Sequence, residues 1–149
     1  MPKTPTTAEL LSLDNQLCFA LYSASLSMTR LYKPLLDELA LTYPQYLVML
    51  ALWEGDGVTV SDLGTRLSLD SGTLTPLLKR LEATGYLTRM RDVADERRVL
   101  VRLTAEGRAL RARAVQVPQC LLAASQCSLE ELSQLTRQLQ ALRDRVSAA

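Results

Sequence analysis

The stretch Ser61-Asp62-Leu63-Gly64-Thr65-Arg66-Leu67-Ser68-Leu69-Asp70-Ser71-Gly72-Thr73-Leu74-Thr75-Pro76-Leu77-Leu78-Lys79-Arg80-Leu81-Glu82-Ala83 decides the fold. It predicts a helix, a polar turn and a second helix. Thr59, followed three residues on by Asp62, is a variant of the capping box and opens the first helix, which carries Leu63 and Leu67 on one face. Ser68 and Asp70 make the turn. From Ser71 to Ala83, Leu74, Leu77, Leu78 and Leu81 recur at helical spacing, and Gly85 stops the helix. Beyond it, Tyr86 to Arg91 and Arg98 to Leu103 alternate apolar and cationic residues, as half-buried strands do. Between them lies a charged loop, Asp92-Val93-Ala94-Asp95-Glu96-Arg97. The predicted fold is mainly α with a small β-hairpin wing, a winged helix-turn-helix.

The polar face of the second helix presents Ser71, Thr73, Thr75, Lys79 and Arg80, short hydroxyls first and cations later. Small hydroxyl side chains let a helix N-terminus approach base edges and phosphates, while Lys and Arg anchor the backbone. Arg89 and Arg91 on the wing, and Arg97 near its tip, extend the same surface. An arginine there can enter a narrow minor groove, whose negative potential attracts cations. The plainer alternative is a helical hairpin with a solvated charged loop. Charge distribution bears on the choice. The chain of 149 residues has a net charge of only +1, yet positions 79–113 hold ten Lys/Arg against five Asp/Glu. A local basic patch of this kind is the electrostatic footprint expected of a DNA reader.

The rest of the composition sets bounds. The length fits one domain with its own core, and 48 % hydrophobic residues with only 5 % aromatic favour a helical protein. No apolar run is long enough to span a bilayer. The N-terminus lacks the charged-then-apolar design of a secretion signal, so a cytoplasmic protein is expected. Three cysteines in a reducing compartment predict no structural disulfide. The absence of His and of paired-Cys spacing argues against zinc, and no metal or cofactor is expected.

In chain order, Met1 to Thr7 predicts a loose arm. A long helix is expected from about Leu13 with Asp14 as cap, carrying Leu17, Leu21, Ala24, Met28, Leu31 and Leu35 at steps of three and four. Pro34 should kink or divide it. Tyr43-Pro44 marks a boundary, and a helix follows from Pro44 to about Trp53. Glu54-Gly55-Asp56-Gly57 turns into the helix-turn-helix. Pro76 contradicts local rules by lying inside the second helix of that unit. After Leu103, Thr104-Ala105-Glu106-Gly107 starts a helix expected to break or bend near Pro118. Ser128-Leu129-Glu130-Glu131 is a full capping box opening a last helix with Leu132, Leu135, Leu139, Leu142 and Val146 on one side.

The segment Leu69 to Glu82, with Gly85-Tyr86-Leu87 and Asp95-Glu96-Arg97-Arg98 through Leu103-Thr104, resembles the MarR family of winged-helix regulators, and the likeness covers nearly the whole chain. The resemblance implies a homodimer on a pseudo-palindromic double-stranded operator, with Arg97 as the wing arginine and Asp95 supporting it. It also implies one MarR-like domain over 1–149. In it, helices at about 8–42 and 104–149 dimerise and about 44–103 form the DNA-binding lobe. Pro76 is kept inside the helix because that family carries proline there.

Cys18 lies within Asp14-Asn15-Gln16-Leu17-Cys18-Phe19-Ala20-Leu21-Tyr22. A lone Cys on an apolar helix face is usually a small core residue. Tyrosines change the weighting: Tyr22 follows at i+4, Tyr32 about four turns on, and Tyr43 in the next loop, so that four of the five tyrosines fall between positions 22 and 46. A phenol bonded to sulfur stabilises thiolate, the form that attacks a peroxide. Tyrosines that merely anchor a wet interface are the plain alternative.

Cys18, Tyr22, Tyr32 and Tyr43, with Leu41-Thr42-Tyr43-Pro44-Gln45-Tyr46, resemble the organic hydroperoxide resistance regulators (OhrR), a branch of the same family, of the two-cysteine type. That resemblance implies that Cys18 is the peroxidatic cysteine and that Tyr32 and Tyr43 reach it from the other subunit. It also implies a resolving cysteine after the wing, joined to Cys18 as an intersubunit disulfide. Cys120 and Cys127 are both available; two helical turns would put them on one face, and Cys120 is favoured because Cys127 directly precedes the cap Ser128. The expected function is a repressor that releases DNA on oxidation by an organic hydroperoxide. A MarR-type regulator controlled by a small aromatic ligand is the alternative. A thiol peroxidase is disfavoured because Leu13 to Leu17 lacks the upstream Pro and Thr of such enzymes, so no enzyme is expected; a purely structural dimer leaves the wing unexplained.

Overall fold

Side-chain caps decide where most helices begin. In the computed structural model, which describes residues 1–149, Thr6 and Glu9 form a reciprocal capping box on a short helix, α1 (Thr7–Leu10), at the edge of the stretch whose composition predicts a loose arm. The long helix does not start at Leu13, and Asp14 does not cap it. Leu13–Asn15 forms a 3-10 turn, and α2 (Leu17–Glu38) follows with Gln16 at its cap. The Asn15 amide donates to the Glu9 carbonyl at 2.8 Å, and the Gln16 amide to the Leu10 and Ser12 carbonyls at 2.7 and 2.8 Å. These bonds fold the chain back on α1 and shift the helix start. Pro34 does not divide α2. The carbonyl it cannot serve is that of Arg30, and both residues lie on the exposed side of the helix.

Thr42 and Gln45 form the capping box of α3 (Tyr43–Glu54), with Pro44 in its first turn. A short strand, β1 (Val58–Thr59), leads directly into α4 (Val60–Leu67), where the Thr59 hydroxyl accepts from the Asp62 amide at 3.0 Å. Ser68 turns in the left-handed region. Asp70 then caps α5 (Ser71–Thr84) by accepting from the Thr73 amide at 2.7 Å. Pro76 sits on the exposed side, and the carbonyl left without its bond is that of exposed Gly72 in the first turn. Gly85, at φ +93°, supplies the left-handed residue that ends α5.

Two strands, β2 (Leu87–Arg91) and β3 (Val99–Leu103), make the wing, with Leu87 opposite Leu103 and Arg91 opposite Val99. The sheet has a third strand that alternation does not reveal: β1 pairs with β3, giving the antiparallel order β1-β3-β2. Two residues are too few to show a period. Asp56, in the turn before β1, accepts from the Leu103 amide at 2.9 Å and fixes the end of β3.

The chain then forms α6 (Ala105–Ala114) and α7 (Gln116–Ser125), which part at Val115. The break falls three residues ahead of Pro118, because a proline clashes with the carbonyl four residues before it, here that of Ala114. Ser128 and Glu131 box the start of α8 (Leu129–Ser147). The core gathers Leu36 and Leu39 at the C-terminal end of α2 with Met49 and Leu52, Leu74, Leu78 and Leu81, and Leu87 and Val101. Nothing in α8 is buried, and in α2 only Tyr32 and Leu36 are. No helix is long and apolar enough to cross a membrane.

The corner after α5 is tight. The Thr104 hydroxyl donates to the Gly85 carbonyl at 2.6 Å, its amide donates to the Tyr86 carbonyl at 3.1 Å, and Gly107 lies so close that a Cβ there would overlap that same carbonyl. Gly107→Ala is therefore expected to cost about 2 kcal/mol or more in chemical denaturation. Gly55→Ala, with open space around its Cβ, should leave the midpoint nearly unchanged; equal effects would contradict this packing.

Candidate functional site

Two groups of residues stand out, one on the wing side and one along α2. On the wing side, α4, α5 and the hairpin enclose an open cleft of about 1010 Å³. Its walls include Thr65, Ser71, Thr75, Arg89, Arg97 and Arg98. Ser71, Thr73, Lys79 and Arg80 are exposed on α5, and Thr75 is half-buried in the cleft wall, while Leu74, Leu78 and Leu81 on the opposite face are fully buried.

The wing tip is shaped by its own carboxylates. The Asp92 side chain accepts from the Ala94 amide at 3.0 Å, and the Asp95 side chain accepts from the Arg97 amide and from Arg97 Nε at 3.1 and 3.3 Å. Asp95 thereby aims Arg97, whose side chain is 91 % exposed. Arg91 is exposed and donates to the Glu96 carbonyl at 3.2 Å.

Arg89 does not stand out toward solvent. It shares the inner side of β2 with Leu87, whereas Met90 points outward. A cation thus occupies an inner position of the alternation. Glu82 of α5 makes this possible: its carboxylate accepts from the Arg89 amide at 3.0 Å and from the guanidinium at 3.4 Å. The hydrogen bond from the Arg89 side chain is the main cause holding the Glu82 carboxyl below the usual range. Arg89 ties the wing to α5 while still lining the cleft. Glu82 was not among the residues singled out, and its only trace in the sequence is a carboxylate seven residues ahead of an arginine.

Along α2, Cys18 and Tyr22 lie one turn apart and are both exposed. Tyr32 is about 21 Å further along the helix axis, from 14 residues of ~1.5 Å rise. It is buried in its own subunit, stacked on Tyr43 with ring centroids 6.1 Å apart at 21°. Tyr46, which sequence reasoning left outside the site, continues the row at 6.2 Å from Tyr43 and is buried. Burial pushes the Tyr46 phenol up to about 12, and Tyr32 and Tyr43 add to it. Burial likewise raises Tyr32, with Tyr43 and then Cys120 contributing. Cys120 is half-buried on α7, which packs against α2, the helix that carries Tyr32. Cys127 does not share a helix face with it. It lies past the end of α7, beyond left-handed Gln126, and its thiol donates to the Ser125 carbonyl at 3.5 Å. All three cysteines are free. Within one subunit, then, Tyr32 and Tyr43 stack beside the helix that carries Cys120, and Cys18 lies apart.

The N-terminal half of α2 also exposes Leu17, Phe19, Leu21, Leu26 and Met28, and α8 exposes Leu135, Leu139 and Val146. Patches of that extent mark interfaces.

Residues 30–113 match the family model described as transcriptional regulator SarA/Rot. The chain is 52 % identical to the organic hydroperoxide resistance transcriptional regulator of Bacillus subtilis, over 89 % of this chain and 90 % of that protein. Among solved structures it is similar to reduced AbfR bound to DNA, at 33 % identity and TM-score 0.76, with 95 % of this chain and 99 % of that one covered. It is also similar to disulfide-formed AbfR, at 36 % identity and TM-score 0.63, covering 90 % and 94 %.

A raised folded-state pKa means that the stability Tyr46 lends is complete below the ordinary phenol value near 10 and is lost as pH climbs toward about 12. The denaturation midpoint of the wild type should therefore fall more steeply across that window than that of Tyr46→Phe, and phenolate absorbance should lose its highest-titrating step in the variant. Parallel midpoint curves would contradict the assignment.

Proposed function

Because the chain belongs to the MarR/SarA-type winged-helix transcriptional regulators, we propose that it is a homodimeric repressor that holds operator DNA while Cys18 is a thiol. Oxidation of Cys18 by an organic hydroperoxide releases the DNA. The DNA-binding part rests on the α4–α5–wing surface. The first turn of α5, with Ser71, Thr73 and Thr75, suits the major groove, and Lys79 and Arg80 suit the phosphates beside it. Arg97, aimed by Asp95, suits a minor groove. Arg89 acts mainly by fixing the wing to α5 through Glu82, and Arg91 by stiffening the hairpin.

The observation that carries the sensing part is the division of the α2 residues: Tyr32, Tyr43 and Cys120 gather at one place, while exposed Cys18 lies about four turns away on an unpartnered apolar face. An antiparallel second copy of α2 brings the two halves together. The phenols of one subunit then donate to the sulfur of the other and stabilise its thiolate, and Tyr22, one turn from Cys18, covers the same face. The Cys18 thiolate attacks one peroxide oxygen, the O–O bond breaks, and the other oxygen takes up a proton and leaves as the alcohol. The sulfenic acid so formed is attacked by the Cys120 thiolate of the partner subunit, an S–S bond forms as the S–O bond breaks, and the sulfenic hydroxyl takes up a proton and leaves as water. Cys127, whose thiol is turned to its own helix end, is the weaker candidate for this second step. Joining α2 of one subunit to α7 of the other displaces the DNA-reading lobes as rigid bodies. Control by a small aromatic ligand, with Cys18 a bystander, remains the competing reading; it demands DNA binding indifferent to peroxide.

The test uses a duplex selected by the reduced protein from a randomised library, followed by fluorescence anisotropy. One equivalent of an organic hydroperoxide should release the wild type, whereas Cys18→Ser should bind equally well and stay bound. Release of Cys18→Ser by peroxide would defeat the proposal. Arg97→Ala should weaken binding about tenfold with the protein still folded; unchanged affinity would remove the wing tip from the interface. Cys120→Ser should abolish the peroxide-induced disulfide and Cys127→Ser should not.

A further inference from the structure

The last carbonyls of an α-helix have no partner within the helix, and at the end of α2 two of them are taken by side chains from distant parts of the chain. Arg113 of α6 donates to the Glu38 carbonyl at 3.1 Å, and the Tyr86 hydroxyl donates to the Leu39 carbonyl at 2.7 Å. These are the side-chain hydrogen bonds that link α2 to the rest of the folded subunit. Arg113 reaches back from the helix that leads to α7 and Cys120, so its bond stays on the side of the phenol cluster. Tyr86 leads elsewhere. It is the residue immediately after Gly85, the left-handed cap of the recognition helix α5.

The backbone around Tyr86 leaves little slack. Its amide donates to the Leu81 carbonyl of α5 at 3.0 Å, and its carbonyl accepts from the Thr104 amide at 3.1 Å. Its ring is half-buried against the core. A movement of the Leu39 carbonyl therefore reaches the last turn of α5 through one phenol and one peptide unit. Ala40, in the left-handed region at φ +57°, ends α2 just beyond this joint, so the chain direction changes there and α2 and α3 do not move as one rod.

We propose that Tyr86 is a positioning residue that couples the attitude of α2 to that of the recognition helix, through its hydrogen bond to the Leu39 carbonyl. The proposal rests on the redox-switch reading above. When a disulfide pulls α2, the Tyr86 hydroxyl carries the shift into α5. Without that hydroxyl, the two states of α2 are read less faithfully by the DNA surface. The phenol takes no part in the sulfur chemistry.

Tyr86→Phe keeps the ring and removes only the donor. The reduced variant should bind the selected duplex within about twofold of wild type, and its Cys18 should oxidise and cross-link at the wild-type rate. The ratio of oxidised to reduced dissociation constants should shrink about fivefold, the worth of one neutral hydrogen bond. A merely structural role would lower affinity in both states and leave the ratio unchanged, and an unchanged ratio overturns the proposal. A second measurement needs no variant: hydrogen exchange of the wild type should show the Gly85 and Tyr86 amides losing protection when the disulfide forms. Equal protection in both states overturns the proposal even if Tyr86→Phe folds poorly. A wild type that keeps its DNA after full oxidation defeats the switch reading itself, and the coupling with it.

Discussion

A helix of 22 residues that is buried at only one end is the constraint on which the rest depends. The C-terminal third of α2 is fixed by Leu36 and Leu39 in the core and by two side-chain bonds to its last carbonyls. Its N-terminal half carries leucine, phenylalanine and methionine into solvent, together with the exposed face of α8. Apolar area of this kind, at about 25 cal/mol per Å², is what drives association. The same half holds Cys18, so the surface that needs a partner is the surface that bears this exposed thiol. On the proposed reading, a sensor placed in that interface turns oxidation into a change of quaternary geometry.

The DNA-reading lobe is built the opposite way. Almost every connection in it is short and doubly held: Asp70 caps α5, Gly85 and Thr104 clamp the corner after it, Asp56 pins the end of β3, and Glu82 binds Arg89 across from α5 to β2. Only one of these contacts is an ion pair, Glu82–Arg89, and a single partly exposed pair contributes little to stability. The value of these contacts is geometric, since they fix the angle between wing and recognition helix. On the proposed coupling, a lobe held this way moves as a unit, positioned by what α2 does at the Leu39–Tyr86 joint.

Much of this was legible in the sequence because it depends on local rules. Caps at Thr59 and Ser128, the leucine spacing of α5 and the Gly85 stop all act within a few residues. What stayed hidden depends on contacts across the fold. The start of α2 moved to Leu17 because Asn15 and Gln16 bond back to α1. Pro34 left α2 undivided, with Pro34 and Arg30 both on the exposed side of the helix. Strand β1 is too short to carry a period. Arg89 took an inner position because Glu82 lies opposite. At the site, spacing drew attention to Cys18, Tyr22, Tyr32 and Tyr43, yet it could not show that Tyr46 extends the row or that Cys120 and Cys127 part company at Gln126.

The central claim is that one sensing site is divided between two subunits. Subunit mixing tests it most directly. Cys18→Ser chains and Cys120→Ser chains of distinguishable mass are exchanged into mixed dimers, treated with one equivalent of an organic hydroperoxide, and separated on a non-reducing gel. The account predicts a cross-linked band of heterodimer mass that neither variant forms alone, joining the intact Cys18 of one chain to the intact Cys120 of the other. If the mixture gives no such band, while the oxidised wild type runs as a monomer with a disulfide inside its own chain, the divided site is wrong.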